Sequence, residues 1–323
     1  MISAAVVVVM LGTVVVAEQH SYGLRTETLV VNDDGIELSA TLALPPGDGP
    51  FGIVAFVHGD GPVTADHDGG YLPIWEALAS AGYASISWDK PGVGGSEGDW
   101  LAQTMQDRAD EATAAIAALA EHPELDPDRV ALWGASQAGW VLPLIAADHD
   151  LDFVVAASPA INWIGQGRYL TETALDNADA TARVRSLSSA RNEDGIALLQ
   201  ARAPYADYLD LTADQDPDLA PYFGTMSRQR WQFVSRNFEV DATVSLRNVS
   251  GVPVLLQLAG RDHNVDVADT ERTYRERVAD ACLTVATYAD ADHSLVDADI
   301  ADPRSGCGRR DCCARGHCSP PTC

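Results

Sequence analysis

Lysine is all but missing from this chain. Lys90 is the only one, and the 21 basic residues face 47 acidic ones, for a formal net charge of −26. A surface of that sign repels a phosphate backbone or an anionic bilayer, which excludes nucleic acid as a partner. Cysteine is nearly missing as well. Cys282 is the only one before position 307, while Cys307, Cys312, Cys313, Cys318 and Cys323 crowd the last 17 positions. No C-x-x-C pair occurs among them, so no zinc site, and no metal of any kind, is expected. No Gly-Lys-Ser or Gly-Lys-Thr follows the glycines of residues 92–95, which excludes a P-loop and leaves those glycines as a turn, with no cofactor implied. No apolar run reaches the length of a membrane span either. The nearest, residues 2–17, is too short, and stable membrane insertion is not expected. It ends in the small residues Val15-Val16-Ala17, where a signal peptidase could cut, although no Lys or Arg precedes it and its valines suit a strand equally. Residues 1–17 are read as a candidate signal segment, and export is preferred over a cytoplasmic location.

What is present fits one large α/β domain with an insertion: 323 residues, 46% hydrophobic and 21% charged. Residues 28–31 and 36–44 read as strands around the turn Asn32-Asp33-Asp34-Gly35. Residues 51–57 are continuously apolar, as in a strand covered on both faces. A helix is predicted over 71–81, a strand over 83–88, a long helix over 101–121 and a strand over 130–133. A further helix follows over 140–147 and a strand over 153–157. This alternation argues for a mostly parallel sheet with helices on both faces. Residues 160–248 break it, with no clear strand and with scattered aromatics at Trp163, Tyr169, Tyr205, Tyr208, Tyr222, Phe223, Trp231 and Phe233. They read as a helical insertion whose rings either pack its own core or wall a substrate site. The strand pattern returns at 252–258, a helix at 267–278 and a last strand at 282–288.

The strand Arg129-Val130-Ala131-Leu132-Trp133 runs into Gly134-Ala135-Ser136-Gln137-Ala138-Gly139. A strand, a sharp turn and a helix lift a serine clear of the sheet edge, and small neighbours are needed because the turn is tight. Taken alone, such a serine could equally cap its helix. An acyl-transfer serine also needs a base, an acid to orient the base, and donors for the oxyanion. Asp262 follows the strand at 252–258, and His293 follows the strand at 282–288. All three therefore lie at carboxyl ends of strands, in the order Ser136, Asp262, His293. The oxyanion donors would be the backbone N–H groups of Gln137 and of Asp60, in the loop His58-Gly59-Asp60-Gly61-Pro62, with the Asp60 side chain playing no part. His263 is a rival base, Asp266 a fallback acid, Asp89 a second strand-end carboxylate read as structural, and His58 a brace for its loop.

Four pieces in joint order carry a resemblance: His58-Gly59-Asp60-Gly61-Pro62, the loop Asp89-Lys90-Pro91-Gly92-Val93-Gly94-Gly95-Ser96, Trp133-Gly134-Ala135-Ser136-Gln137-Ala138-Gly139-Trp140, and Gly260-Arg261-Asp262-His263-Asn264-Val265 with Asp292-His293. Over residues 25–297 the chain resembles serine hydrolases of the α/β-hydrolase superfamily, among them bacterial esterases and acyl-peptidase-like or acyl-CoA-thioesterase-like members. The resemblance implies a mostly parallel sheet of about eight strands flanked by helices, with the core at 24–159 and 249–297 and a helical cap at 160–248. It also implies the triad Ser136, Asp262 and His293 acting on a small-molecule acyl substrate. An ester is the first choice, with a peptide, a thioester or a catalytically impaired member as alternatives. Two departures stand out. Position 138 is alanine where the strict G-x-S-x-G pattern has glycine, and the closing amphipathic helix has no counterpart after residue 297. Residues 298–323, rich in Arg, Gly, Pro and Cys, are predicted to be a disordered tail, either a genuine extension or the product of a shifted reading frame.

Overall fold

Asp34 and Gly35 both take positive φ, 46° and 90°, as the two central residues of a type I′ turn require. They join β1 (Arg25–Asp33) to β2 (Ile36–Leu44) in unbroken antiparallel register, from Arg25 opposite Leu44 to Asp33 opposite Ile36. The computed structural model that shows this describes residues 22–297. The candidate signal segment 1–17 and the cysteine-rich stretch 298–323 lie outside the described residues. Eight strands form one sheet in the order β1-β2-β4-β3-β5-β6-β7-β8. β2 meets β4 (Tyr83–Trp88) antiparallel, and β3 (Phe51–Val57) meets β4 parallel. β5 (Leu125–Ala135), β6 (Val154–Ala157), β7 (Val254–Ala259) and β8 (Leu283–Tyr288) pair in parallel. Every residue of β3 is buried, as its unbroken apolar run predicted.

The chain divides into two compact units. The first takes in the described residues up to 56, then 62–98 and 114–130. Within it the helix α1 (Leu72–Ser80) buries Trp75 and Ala79, and the Trp75 ring meets Phe56 edge-on at 6.0 Å between centroids. The second unit takes in 57–61, 99–113 and the described residues from 131 on. It holds Asp60, Ser136, Gln137, Asp262 and His293.

The helix predicted over 101–121 is broken. A 3-10 turn spans Trp100–Ala102, with the Asp99 carboxylate accepting from Leu101 N–H at 2.9 Å, and α2 proper covers Met105–Ala117. The break is set by a reciprocal cap. Asp107 N–H donates to Thr104 Oγ1 at 3.2 Å and Thr104 N–H to the Asp107 carboxylate at 2.7 Å, so the helix starts afresh at 105. The helix predicted over 140–147 is also shorter: a 3-10 turn over Ser136–Trp140 leads into a single α turn, α3 (Leu142–Ile145), with Pro143 in its first turn.

Residues 163–249 contain no strand: their elements are α4 (Trp163–Asn177), α5 (Ala182–Gln200), α6 (Tyr205–Ala213), α7 (Arg228–Asn237), α8 (Ala242–Ser245) and two 3-10 turns, with a single antiparallel bridge from Asp241 to Asn162. Four are opened by side-chain caps, Asn162, Thr181, Ser227 and Asp241. Their common core is Leu199, Tyr208, Trp231, Val234 and Phe238, with Trp163 and Tyr205 packed against it. Tyr208 and Trp231 stack at 4.6 Å. Four of the eight rings that could have walled a substrate site, Trp163, Tyr205, Tyr208 and Trp231, therefore pack the segment itself. After β7 comes α9 (Val267–Arg277), then β8. No helix among the described residues is long and apolar enough to cross a membrane.

Candidate active site

Where β5 ends, Ser136 takes φ = 54°. This left-handed conformation costs a non-glycine residue about 1–3 kcal/mol and persists only where its surroundings enforce it. The enforcement is visible on both sides. A Cβ on Gly134 would stand 2.7 Å from the Ala138 Cβ, and one on Gly139 would stand 2.4 Å from the Ala160 carbonyl oxygen. Ala138 is thus accommodated because the space it needs is left by Gly134, while the close approach of another backbone falls on Gly139. The Ser136 carbonyl accepts from Ala160 N–H at 2.9 Å, which ties the turn to the chain leaving β6.

Asp262 stands just beyond β7, its side chain 1% exposed. One carboxylate oxygen, Oδ1, accepts from the backbone N–H groups of Asn264 (2.8 Å) and Val265 (2.9 Å). The other, Oδ2, lies 2.8 Å from His293 Nδ1. His293 is carried there by two backbone hydrogen bonds between the loops, Gly260 N–H to the Tyr288 carbonyl (2.8 Å) and Arg261 N–H to the Ala291 carbonyl (2.9 Å). A carboxylate can only accept, so Nδ1 is the donor in this contact, and Nε2 is the nitrogen that points away from Asp262. From α4, the Tyr169 hydroxyl donates to the Asp262 carbonyl at 2.9 Å. Burial, and then the nearby Asp266 and Asp262 carboxylates, push this phenol above its ordinary range, so it remains a donor.

The structure therefore brings Asp262 and His293 into direct contact. It leaves Ser136 Oγ without a hydrogen bond among the described residues, a gap that in unliganded sites commonly closes only with substrate. The rivals fall elsewhere. His263 is exposed and makes no hydrogen bond to Asp262. Asp266 caps α9 through Asp269 N–H at 3.0 Å. Asp89 accepts from Ala65 N–H (2.8 Å) and Gly95 N–H (2.9 Å), fastening two loops. His58 is buried.

The loop 58–61 lies against the turn at Ser136, since a Cβ on Gly59 would be 3.5 Å from Ser136 Cβ. The Asp60 side chain, which donation by the backbone N–H does not use, is engaged all the same. Oδ1 accepts from Gln137 Nε2 (3.1 Å) and Arg230 Nη1 (2.9 Å), and Oδ2 from Arg230 Nη2 (2.6 Å). Arg108, 3% exposed, donates to Gln137 Oε1 and, at 2.5 Å, to the His58 carbonyl. Sequence reading passed over both arginines. Arg108 had a signal, because it shares a helix face with Met105, Ala112 and Ala115, all buried, and a cation on an apolar stripe needs partners. Arg230 had none.

Two cavities, of about 390 and 230 Å³, are lined by residues such as Met105, Trp140 and Val244 in the one and Ile161, Gln166 and Thr270 in the other. Neither is lined by Ser136 or His293.

A family model described as X-Pro dipeptidyl-peptidase (S15 family) matches residues 34–286. A search of the curated proteins found no match. Among solved structures, an esterase of Pyrococcus furiosus is similar at 16% identity and a TM-score of 0.55, over 86% of each chain. Est1E of Butyrivibrio proteoclasticus, solved with ferulic acid, aligns at 15% identity and a TM-score of 0.53, over 83% of this chain and 91% of its own. The α/β hydrolase GrgF of a Penicillium species aligns at 17% identity and a TM-score of 0.56, over 91% of this chain and 99% of its own. At such identities the likeness is one of fold, and the fold is that of the α/β hydrolases.

Proposed function

Since the chain belongs to the X-Pro dipeptidyl-peptidase (S15) family and is a serine hydrolase, we propose that it cleaves carboxylic esters of small molecules through an acyl-enzyme on Ser136. The observation that carries this reading is the Asp262–His293 pair at 2.8 Å, which leaves Nε2 as the available base. His293 takes the hydroxyl proton as Ser136 Oγ attacks the acyl carbonyl. The N–H groups of Gln137 and Asp60 receive the oxyanion. The tetrahedral intermediate collapses, His293 Nε2 protonates the departing alkoxide, and the acyl group stays on Ser136. A water molecule, deprotonated by the same nitrogen, then releases the acid. The helices between 163 and 249 serve as a cap, and Tyr169 and Arg230 are the side chains by which they reach the catalytic loops.

The family match favours a second reading, release of an X-Pro dipeptide from a peptide. Such a reaction calls for a carboxylate to hold the substrate's terminal ammonium. On the catalytic loops Asp262 holds His293, Asp60 is held by Arg230, and Asp266 caps a helix. With these three engaged, the ester reading is preferred. The test is one preparation assayed on p-nitrophenyl esters, X-Pro anilides and acyl thioesters, with Ser136→Ala as control. Ester turnover at least tenfold above that of the anilides in kcat/KM is expected. Preferred turnover of an X-Pro anilide would overturn the ester assignment, and turnover of every substrate by Ser136→Ala would overturn the nucleophile.

A further inference from the structure

The two residues assigned as oxyanion donors are joined side chain to side chain. Gln137 Nε2 donates to Asp60 Oδ1 at 3.1 Å, and an arginine grips each end of this link. At one end the buried Arg108 holds Gln137 Oε1 and the His58 carbonyl. At the other, Arg230, from the first turn of α7, closes a two-pronged pair on Asp60. We propose that Arg230 is a positioning residue for the oxyanion hole, fixing through the Asp60 carboxylate the direction of the Asp60 N–H beside Ser136.

Asp60 sits between Gly59 and Gly61, outside any helix or strand, with its side chain 43% exposed. Glycine on either side widens the range of conformations its flanks can adopt, and a donor misplaced by about 1 Å is worth little to a developing oxyanion. An ordinary exposed ion pair would be a weak restraint. This one is a planar fork on both carboxylate oxygens, and the guanidinium is itself held in place, 5.0 Å over the fully buried Phe233 ring and 5.9 Å from Trp100. The Asp60 carboxylate also accepts from Gln137, so one ion pair sets the spacing of both donors. The consequence is specific to the transition state. The oxyanion is stronger in its demand for donors than the ground-state carbonyl, so loosening the clamp should lower kcat and leave KM almost untouched.

The proposal rests on the serine-hydrolase reading, and the test separates the two. Wild type, Ser136→Ala, Arg230→Met and Arg230→Lys are compared on the best ester of the panel, together with the inhibition constant of an arylboronic acid, which forms a tetrahedral adduct. Methionine keeps the apolar stem and removes the fork, whereas lysine keeps the charge without the bidentate geometry. For Arg230→Met we expect kcat to fall roughly tenfold, KM to stay within about twofold, and the boronic acid to weaken by about the same tenfold as kcat. Arg230→Lys should recover part of the loss, and the melting temperature should change little in either variant. If Ser136→Ala is inert while Arg230→Met keeps the wild-type kcat, or loses only in KM, the positioning role is wrong and the hydrolase reading stands. Loss of activity in step with loss of folded protein would likewise overturn it, showing a structural contact only. If Ser136→Ala retains the wild-type rate, the hydrolase reading fails and the proposal fails with it.

Discussion

Two aspartates stand at carboxyl ends of strands, Asp89 after β4 and Asp262 after β7, and each accepts two backbone N–H groups. Asp89 spends one oxygen on each, Oδ1 on Ala65 and Oδ2 on Gly95. Asp262 takes both of its backbone donors on Oδ1, and its Oδ2 meets His293. Asp89 therefore locks two loops together, with each oxygen taken by a backbone N–H. Asp262 is equally well anchored, by local contacts that leave one oxygen for the imidazole. A carboxylate at a strand end is common to both. What separates a clasp from the proposed orienter is how the oxygens are shared out, and that depends on the turn: Asn264 and Val265 follow Asp262 closely enough to crowd one oxygen, whereas the partners of Asp89 come from separate loops.

This contrast can be broken most severely at the nucleophile that Asp262 is proposed to serve. Ser136→Ala should cost on the order of 10⁴-fold or more in kcat with no loss of melting temperature, read from steady-state kinetics and a thermal scan. Asp262→Asn should come next, with a loss of roughly 10³- to 10⁴-fold in kcat as the imidazole loses its orienting charge and tautomer. The equivalent change at the clasp, Asp89→Asn, should do the opposite. It sets an amide NH₂ against a backbone N–H and should cost about 1–3 kcal/mol of stability, measured by urea unfolding, with kcat within about threefold of wild type well below the melting temperature. Smallest of all, His263→Ala should change neither quantity beyond about 0.5 kcal/mol or twofold, since the ring is exposed. A larger loss of activity there than in His293→Ala would move the base to His263.

Much of this was legible in the sequence where one physical rule dominated. Strands β2, β3 and β4 follow the predicted limits because continuous or alternating apolar runs flanked by Gly and Pro leave little choice. Chain order put Asp262 and His293 after successive strands, and the two side chains meet at 2.8 Å. The rule failed where two signals competed. The alanine-rich stretch from 101 reads as one helix by propensity, but Asp99 and Thr104 are both caps, and Thr104 with Asp107 restarts the helix at Met105. In the 160–248 stretch helicity was plain, yet the use of the rings was not. Phe238, which drew no notice in the sequence, is part of the same core as Trp231. An oxyanion donor needs only its N–H, so nothing about that role directs attention to the Asp60 side chain. Its partner Arg230 lies 170 residues away, and no local pattern points from one to the other.

The most direct measurement is the rate at which a fluorophosphonate labels the protein, with the modified residue located by mass spectrometry, in wild type, Asp262→Asn and Asp89→Asn side by side. Only a serine activated by an oriented base reacts quickly. The expected result is stoichiometric label on Ser136, a rate at least about 100-fold lower in Asp262→Asn, and a rate within about threefold of wild type in Asp89→Asn. Equal rates in all three proteins, or label on a residue other than Ser136, would contradict the assignment of Asp262 and His293 as the pair that activates this serine.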